Sequence, residues 1–533
     1  MDSNQKRNIY AQEALKYVPK LLTLLNRNEL SPTFGCFDRE YWHYRTADFP
    51  CGMSQEAVLA LALLYKYPFP GNDCFGLERI KSLIVGALHF TKKSSHRDGS
   101  SDEYYPFERA QGSTAFSLYA CTQAYQWLGL NDTELERFFK HRGGWLASHS
   151  EVGKLANHEA MSALALLNVF LITKDKNFQM ASQKRVQNVL TLQSPEGWFV
   201  EYDGCDPGYD SWTIDFLAKY FQKTDDRSLL EPLNKAVEFM SYFMHPDSSF
   251  GGEYGSRNSY NFFPHGLEIL GTEIPLATQI CDVFLQGVIQ GNRAYIDDNR
   301  SFSHHMSNYL QAYVDFHPTR SHGLKRNDFE KYFQQAGLYV SKKSAYYLVL
   351  SLKKGGVLKL FKDQNNIYND AGFIGVLDND QVCVSHAFSD KIITVRDILK
   401  VHGYFQPVSL PYMSPMKLIF FRAMLFPFSW SATYSRLIRK LLQHVLIHNK
   451  KGLPIQFERE FLFNKEGLHI KDRIHLLGKK YFKRLAIGTD HTSIYTAISN
   501  GFQKGVLHPW VYFDDKLKEL KQKKEIVIQR EIQ

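Results

Sequence analysis

The chain has 533 residues, of which 44% are hydrophobic, 22% charged and 14% aromatic, and 64 basic against 55 acidic side chains give a formal charge of +9. That balance excludes a disordered chain, and the length calls for roughly two to four domains, or one large repetitive domain with a smaller companion. The positive excess points to an anionic partner at long range. No zinc-finger spacing and no helix-turn-helix or RNA-recognition pattern accompanies it, which speaks against nucleic acid.

The opening stretch MDSNQKRNIYAQEALKYVPKLLTLL has no uninterrupted apolar core and no small-residue cleavage site, unlike an export signal. No segment approaches the ~20 apolar residues of a membrane span. Cys36, Cys51, Cys74, Cys121, Cys205, Cys281 and Cys383 are odd in number and widely spaced, as reduced thiols would be and a disulfide framework would not. They form no metal-ligand pairs. These features predict a cytoplasmic protein, at most peripheral at the inner membrane.

From residue 5 to about 310, apolar positions return every three or four residues, as in AQEALKYVPKLLTLL, STAFSLYACTQAYQWLGL and HEAMSALALLNVFLITK. Stretches rich in Gly, Pro, Asp and aromatics separate these helices: CFDREYWHYRTADFPCG, RDGSSDEYYPFERAQG, SPEGWFVEYDGCDPGYD and HPDSSFGGEYGSRNSYNFFPHG. The alternation predicts helical hairpins in a barrel or incomplete toroid, with several such loops around one opening. Near residue 330 the punctuation changes to short strands with Gly, Asn and Asp turns, clearest at Tyr346 to Leu352, Gly356 to Phe361 and Gln381 to His386. Asn464-Lys465-Glu466-Gly467 reads as a hairpin turn.

The expected organisation is multidomain α+β: a helical domain over 1–320 that carries the cleft, then a β-sheet-rich domain over 321–533. Residues 411–447 interrupt the second domain with bulky apolar clusters and Lys417, Arg422, Arg436, Arg439 and Lys440. They read either as an insertion packed on the rest of the protein or as a surface-lying membrane contact; Pro427 and the Ser/Thr residues break any long amphipathic helix there.

Two helix starts carry the candidate chemistry. In KLANHEAMSALALL, Asn157 as a cap or last loop residue would let both Asn157 and His158 reach a cleft, the amide donating to a carboxylate and the imidazole moving a proton. The plainer alternative is a helix cap with a half-buried His. In EGWFVEYDGCDPGYDSW, Tyr209 stands just before a helix, with Tyr202 as competitor and Trp198 beside it as a core or sugar-stacking ring. A third element, GGEYGSRNSYNFFPHG, offers the planar donor fork of Arg257 with Glu253, Tyr254 and His265, on glycines that would let the loop approach a ligand. An internal ion pair would explain that loop equally well. Together these groups suit removal of the proton at C5 of a uronic acid, with Asn157 and Arg257 holding the charge that develops and His158 and Tyr209 dividing the proton transfers. Rupture of the 4-oxygen link gives β-elimination, and return of the proton on the other face gives epimerisation.

At these residues the chain resembles the heparinase II/III-like group of polysaccharide lyases, which place an Asn or Asn-His pair on one toroid helix and a Tyr roughly fifty residues onward. The stretches CFDREYWHYRTADFP, DGSSDEYYPFERA and YYLVLSLKKGGVLKLFKD resemble relatives encoded with bacterial surface-polysaccharide synthesis. The resemblance runs from roughly residue 30 to 400. It implies an incomplete (α/α) toroid followed by an antiparallel β-sandwich-like domain, an acidic polysaccharide or lipid-linked glycan as partner, Asn157 against the uronate carboxylate, and Tyr209 and His158 as base and acid. No cofactor is implied beyond a structural divalent metal in the sheet domain, whose ligands do not assemble here. The His-x-His-x-Asp-like run of many such lyases is missing, leaving His304, His305 and His317 as substitutes. Competing readings are a C5-epimerase of the same fold, a noncatalytic glycan-binding assembly protein, and a glycosidase drawing two facing carboxylates from Glu103, Glu108, Asp203 and Asp210.

Overall fold

The computed structural model describes all residues except 151–152, 203, 296–297, 321–323, 325, 387–391, 396–397, 409–411, 427–432, 436, 439–451, 491–498 and 500. Helices fill the first part: α1 (Ser3–Leu15), α2 (Val18–Leu24), α3 (Val58–Lys66), α4 (Glu78–Lys93), α5 (Gln111–Trp127), α6 (Thr133–Ser148), α7 (Ala156–Thr173), α8 (Lys176–Thr191), α9 (Pro207–Thr224), α10 (Leu230–Ser241), α11 (His265–Ile269), α12 (Pro275–Gln290) and α13 (Phe302–Val314). Helices α3, α5, α7 and α9 pack in succession, and α11 and α13 carry the inner ring round to α3. The inner helices are buried on nearly every side, whereas α4, α6, α8 and α10 bury one stripe and form the outer layer. This is the (α/α) toroid.

Three antiparallel sheets follow. The first joins β1 (Phe329–Phe333), β2 (Leu338–Lys343), β3 (Tyr346–Ser351), β4 (Val357–Lys362) and β5 (Asn365–Asp370) in sequence order. Strand alternation assigns its two faces: Val340, Tyr347, Val349 and Phe361 enter the toroid core, while Tyr339, Leu348, Leu350 and Leu360 enter the core of the remaining sheets. The first sheet is therefore the wall between the two cores. The second sheet contains β6 (Phe373–Leu377), β7 (Val382–Val384), β10 (Gln406–Pro407), β13 (Phe482–Ile487) and β14 (Val511–Tyr512). The third contains β8 (Ile392–Val395), β9 (Ile398–Tyr404), β11 (Ile455–Asn464), β12 (Gly467–Leu476) and β15 (Glu525–Ile532).

Asn464 pairs with Gly467 across a two-residue loop, and Asn464 Oδ1 accepts the Glu466 and Gly467 N–H groups at 2.8 and 3.1 Å. The hairpin expected there is present. Helix α14 (Pro415–Leu425) and helix α15 (Leu517–Lys523) lie within the sheet region. Pro427, Arg436, Arg439 and Lys440 of the expected insertion lie outside the described residues. All seven cysteines are free and buried. Among the described residues no helix is long and apolar enough to cross a membrane.

Candidate functional site

Helix α7 starts two residues earlier than His158, so Asn157 is neither its cap nor a loop residue. Leu155, whose side chain has no acceptor to offer, occupies the cap position, its backbone pairing with Glu201 in a short bridge while Ala156 N–H donates to Val200. Asn157 is thereby drawn into the first turn, where it is fully buried. Its Oδ1 accepts the neighbouring His158 N–H at 2.7 Å, which leaves Nδ2 as a buried donor without a partner. Adjacent side chains diverge as helix geometry requires. Glu159 turns into the helix seam, where it takes Arg185 at 2.5 Å and Gln111 at 3.1 Å, while the half-buried His158 ring lies edge-on to Phe116 at 6.1 Å.

Helix α9 likewise begins before Tyr209. Asp206 caps it, with Oδ1 accepting Gly208 and Tyr209 N–H at 3.1 and 3.3 Å, and Pro207 supplies a first residue whose φ is preset for the helix. Tyr209 thus belongs to the first turn. The same carboxylate reaches across the opening, because its Oδ2 accepts the Arg257 N–H at 2.8 Å and its Oδ1 bonds the Ser259 hydroxyl. One buried acid therefore fixes the position of the phenol-bearing helix relative to the Arg257 loop. Burial raises the Asp206 carboxyl above the usual range, and the Ser259, Arg257 and Tyr209 bonds and the charge of Lys354 pull it back.

Arg257 completes the arrangement. Its guanidinium carbon stands 3.6 Å from the centroid of Tyr202, a residue in the left-handed region at φ 53°. Tyr202 N–H donates to Lys154 O, which returns the chain to the head of α7. The guanidinium makes no ion pair with a carboxylate among the described residues, and its buried Nε has no partner. The ion pair of this loop belongs instead to Glu253, which meets Lys359 of β4 at 3.4 Å and also bonds Tyr260. The glycines allow close contacts within the protein. A methyl group on Gly255 would come within 2.5 Å of Asp206 Oδ2, and one on Gly252 within 2.4 Å of Lys359 Cε.

Asn157, His158, Tyr202, Tyr209 and Arg257 are thus tied into one locality by the Leu155–Glu201 bridge, the Asp206 cap and the Arg257–Tyr202 stack. Its floor is aromatic: Trp212 lies 6.2 Å from Tyr209, 5.0 Å from Phe116 and 4.6 Å from Phe263. His304 joins this floor, at 5.1 Å from Phe116 and 4.8 Å from Trp212, with its Nδ1 against a carboxylate oxygen of Glu56. His305 stacks on Phe263 at 4.5 Å, and burial with the neighbouring His304 draws its imidazole down to about 3. His317 is held by Thr272 and Thr319.

The other expected residues have partners of their own. His265 is buried, with its Nε2 hydrogen-bonded to Asp315 at 2.7 Å, and Gly266 beside it bonds Asp215, about 9 Å along α9 from Tyr209. Tyr254 is buried, with its hydroxyl 3.0 Å from His245 Nε2. Trp198 donates its indole N–H to Glu196 at 3.0 Å. Asp210 accepts Phe199 N–H at 2.8 Å, and burial pushes its carboxyl far above the usual range. Glu108 accepts the Glu103 and Tyr104 N–H groups, and Asp203 lies outside the described residues. Among the described residues no three His, Cys, Asp or Glu side chains gather as metal ligands.

Two features of the site escape sequence reasoning. Gly112, in the first turn of α5, is the wall behind His158, since a methyl group there would lie 2.8 Å from His158 Cε1. Gly112→Ala is expected to lower turnover about 10- to 100-fold by displacing the imidazole, with Tm nearly unchanged. Equal activity of the variant would show that the ring position is immaterial.

The second is Lys354, at the turn between β3 and β4. Its buried ammonium donates to Gly255 O at 2.6 Å, Glu253 O at 2.5 Å and Asn258 Oδ1, and so clamps both sides of Arg257. Burial draws its pKa from the ordinary 10.5 to about 7, against the favourable charges of Asp206 and Glu253. Because the folded value is depressed, the folded chain sheds this proton first, and the lysine's contribution to stability rises as pH climbs from about 7 to 10.5. The clamp itself weakens over the same rise. Activity is therefore expected to fall on the alkaline side of about 7, with the fall shifted upward in Lys354→Arg, whose guanidinium keeps its protons. A pH–rate profile identical to wild type would clear Lys354. The sheet also brings His386, buried after β7 beside Gly355.

No family model matches the chain, and no curated protein is similar to it in sequence. Its fold is similar to that of a Paenibacillus xanthan lyase, with a TM-score of 0.52 and 11% identity over 90% of this chain and 46% of that one. It is also similar to that of the chondroitin AC lyase of Streptomyces coelicolor A3 in complex with chondroitin sulphate, with a TM-score of 0.50 and 10% identity over 91% and 67% of the two chains. The chain spans about half the length of the xanthan lyase. At these identities the likeness is one of fold: a helical toroid followed by an antiparallel β domain.

Proposed function

We propose that the protein acts on a uronic-acid-containing polysaccharide as a lyase, abstracting the C5 proton and eliminating the 4-linked sugar. The observation that carries this reading is the pair of buried donors without partners, Asn157 Nδ2 and Arg257 Nε, in the same locality as the Tyr209 phenol and the His158 ring. Unpaired buried donors are costly, and a substrate carboxylate would satisfy both. In the elimination the C5–H bond breaks, its electron pair forms the C4=C5 double bond, and the C4–O4 bond breaks. Charge accumulates on the carboxyl oxygens meanwhile, where fixed donors are worth most. Tyr209 and His158 take the C5 proton and supply one to the departing O4.

The same donors serve a C5-epimerase in which the proton returns to the opposite face, and a lipid-linked glycan in surface-polysaccharide synthesis or editing fits the basic character of the chain. A two-carboxylate glycosidase is disfavoured by the internal engagement of Asp210 and Glu108. Incubation with polymers of glucuronate, galacturonate and iduronate in deuterated water separates the outcomes. Ultraviolet absorbance from an unsaturated uronate marks elimination, and deuterium at C5 without cleavage marks epimerisation. Binding with neither signal on any of these polymers would mark a noncatalytic glycan-binding protein.

A further inference from the structure

Helix α14 is anchored by one side and bare on the other. Phe421 packs edge-on against Tyr105 at 5.5 Å, Arg422 pairs with Asp48 at 2.8 Å and overlies Phe49, and Leu425 is buried. The opposite face carries Met416, Ile419 and Phe420 at i, i+3 and i+4, exposed by 74%, 63% and 72%. Met413 before the helix and Phe426 after it extend the same apolar surface. Lys417 stands on one flank, where a long basic stem lies beside an apolar face and holds its charge at the edge, and the Asp48-paired Arg422 stands on the other.

Among the described residues the packing of α14 is supplied by its anchored side, which leaves this apolar face without a role there. The charge of the surrounding sequence says what would cover it. No Asp or Glu occurs between Asp397 and Glu458, whereas Lys417, Arg422, Arg436, Arg439 and Lys440 all fall there. An apolar face flanked by Lys417, on a chain of net charge +9, complements an anionic lipid surface, in which the apolar residues enter the headgroup–acyl boundary and the ammonium meets the phosphates. No described helix is long and apolar enough to cross the bilayer, so the contact is one that lies on it.

We propose that α14 docks the protein on the surface of an anionic lipid bilayer, with Met416, Ile419 and Phe420 inserted and Lys417 against the headgroups. Tyr105, which α14 covers, follows Tyr104, whose ring lies under Arg300 at 4.5 Å. The proposal stands on the surface alone and survives if the reading of the site fails.

The test is co-sedimentation of the full chain with vesicles of phosphatidylglycerol and phosphatidylcholine mixed equally, against vesicles of phosphatidylcholine alone. Binding to the anionic vesicles is expected, weakened by raising salt from about 0.1 to 0.5 M. The double variant I419E/F420E is expected to bind at least about 10-fold more weakly, with unchanged circular dichroism. As a measurement that does not burden folding, F420W should show a blue-shifted emission on anionic vesicles and none on neutral ones. Equal binding by I419E/F420E, absence of sedimentation with anionic vesicles, or no shift in F420W would overturn the proposal. So would a wild-type dimer in solution that I419E/F420E dissociates, because a second copy would then be the occupant.

Discussion

Replacement of Tyr209 by Phe is expected to reduce turnover of a uronate polymer by about 10³-fold or more while leaving KM within about 3-fold of wild type. The substitution removes one oxygen from the first turn of α9 and little else. The ring keeps its place 6.2 Å from Trp212, and the Asp206 cap, which holds the backbone of this turn and of the Arg257 loop, does not involve the phenol. Structural damage is thus separated from chemical loss. A phenol that serves only to stack on sugar would give the reverse pattern, a raised KM with turnover preserved. Retention of more than about a third of wild-type turnover would remove Tyr209 from proton transfer and with it the elimination mechanism.

How far such residues can be found without a structure depends on what specifies them. The helical periodicity before residue 314 and the strands after 329 follow from local patterning, as does the Asn464–Gly467 hairpin. The heads of α7 and α9 were legible for the same reason, since polar residues interrupt two apolar runs there. The position of Asn157 within its turn was not legible, because it is fixed by the bridge from Leu155 to Glu201, a contact between segments. The Gly-rich loop shows the same limit. Its glycines promise close approach, but only the fold reveals that the approaching groups are Asp206 and Lys359. His265 and Tyr254 have the chemistry of site residues and lie in separate buried pairs with Asp315 and His245. Lys354 and Gly112 carry no sequence signal of their own, and their importance arises from what the sheet and α5 place against them.

The two buried donors should fail in different ways when removed. Arg257 carries full charge before any reaction begins, so it favours a carboxylate over a neutral group already in the bound substrate, and Arg257→Met should chiefly raise KM for the free acid. Asn157 is neutral, and its amide gains most when charge accumulates on the carboxyl oxygens during proton loss. Asn157→Ala should therefore lower turnover by about 10²- to 10³-fold with a smaller effect on KM. Methyl esterification of the uronate supplies the second axis of the comparison. With the ester, the ground-state charge is gone while the transition-state charge still forms, so Arg257→Met should cost less than it does with the acid and Asn157→Ala should cost about as much. Steady-state constants for both variants on both polymers decide the matter. If Arg257→Met is equally damaging to acid and ester, the guanidinium is not reading the carboxylate, and the orientation assigned to the bound sugar must be abandoned.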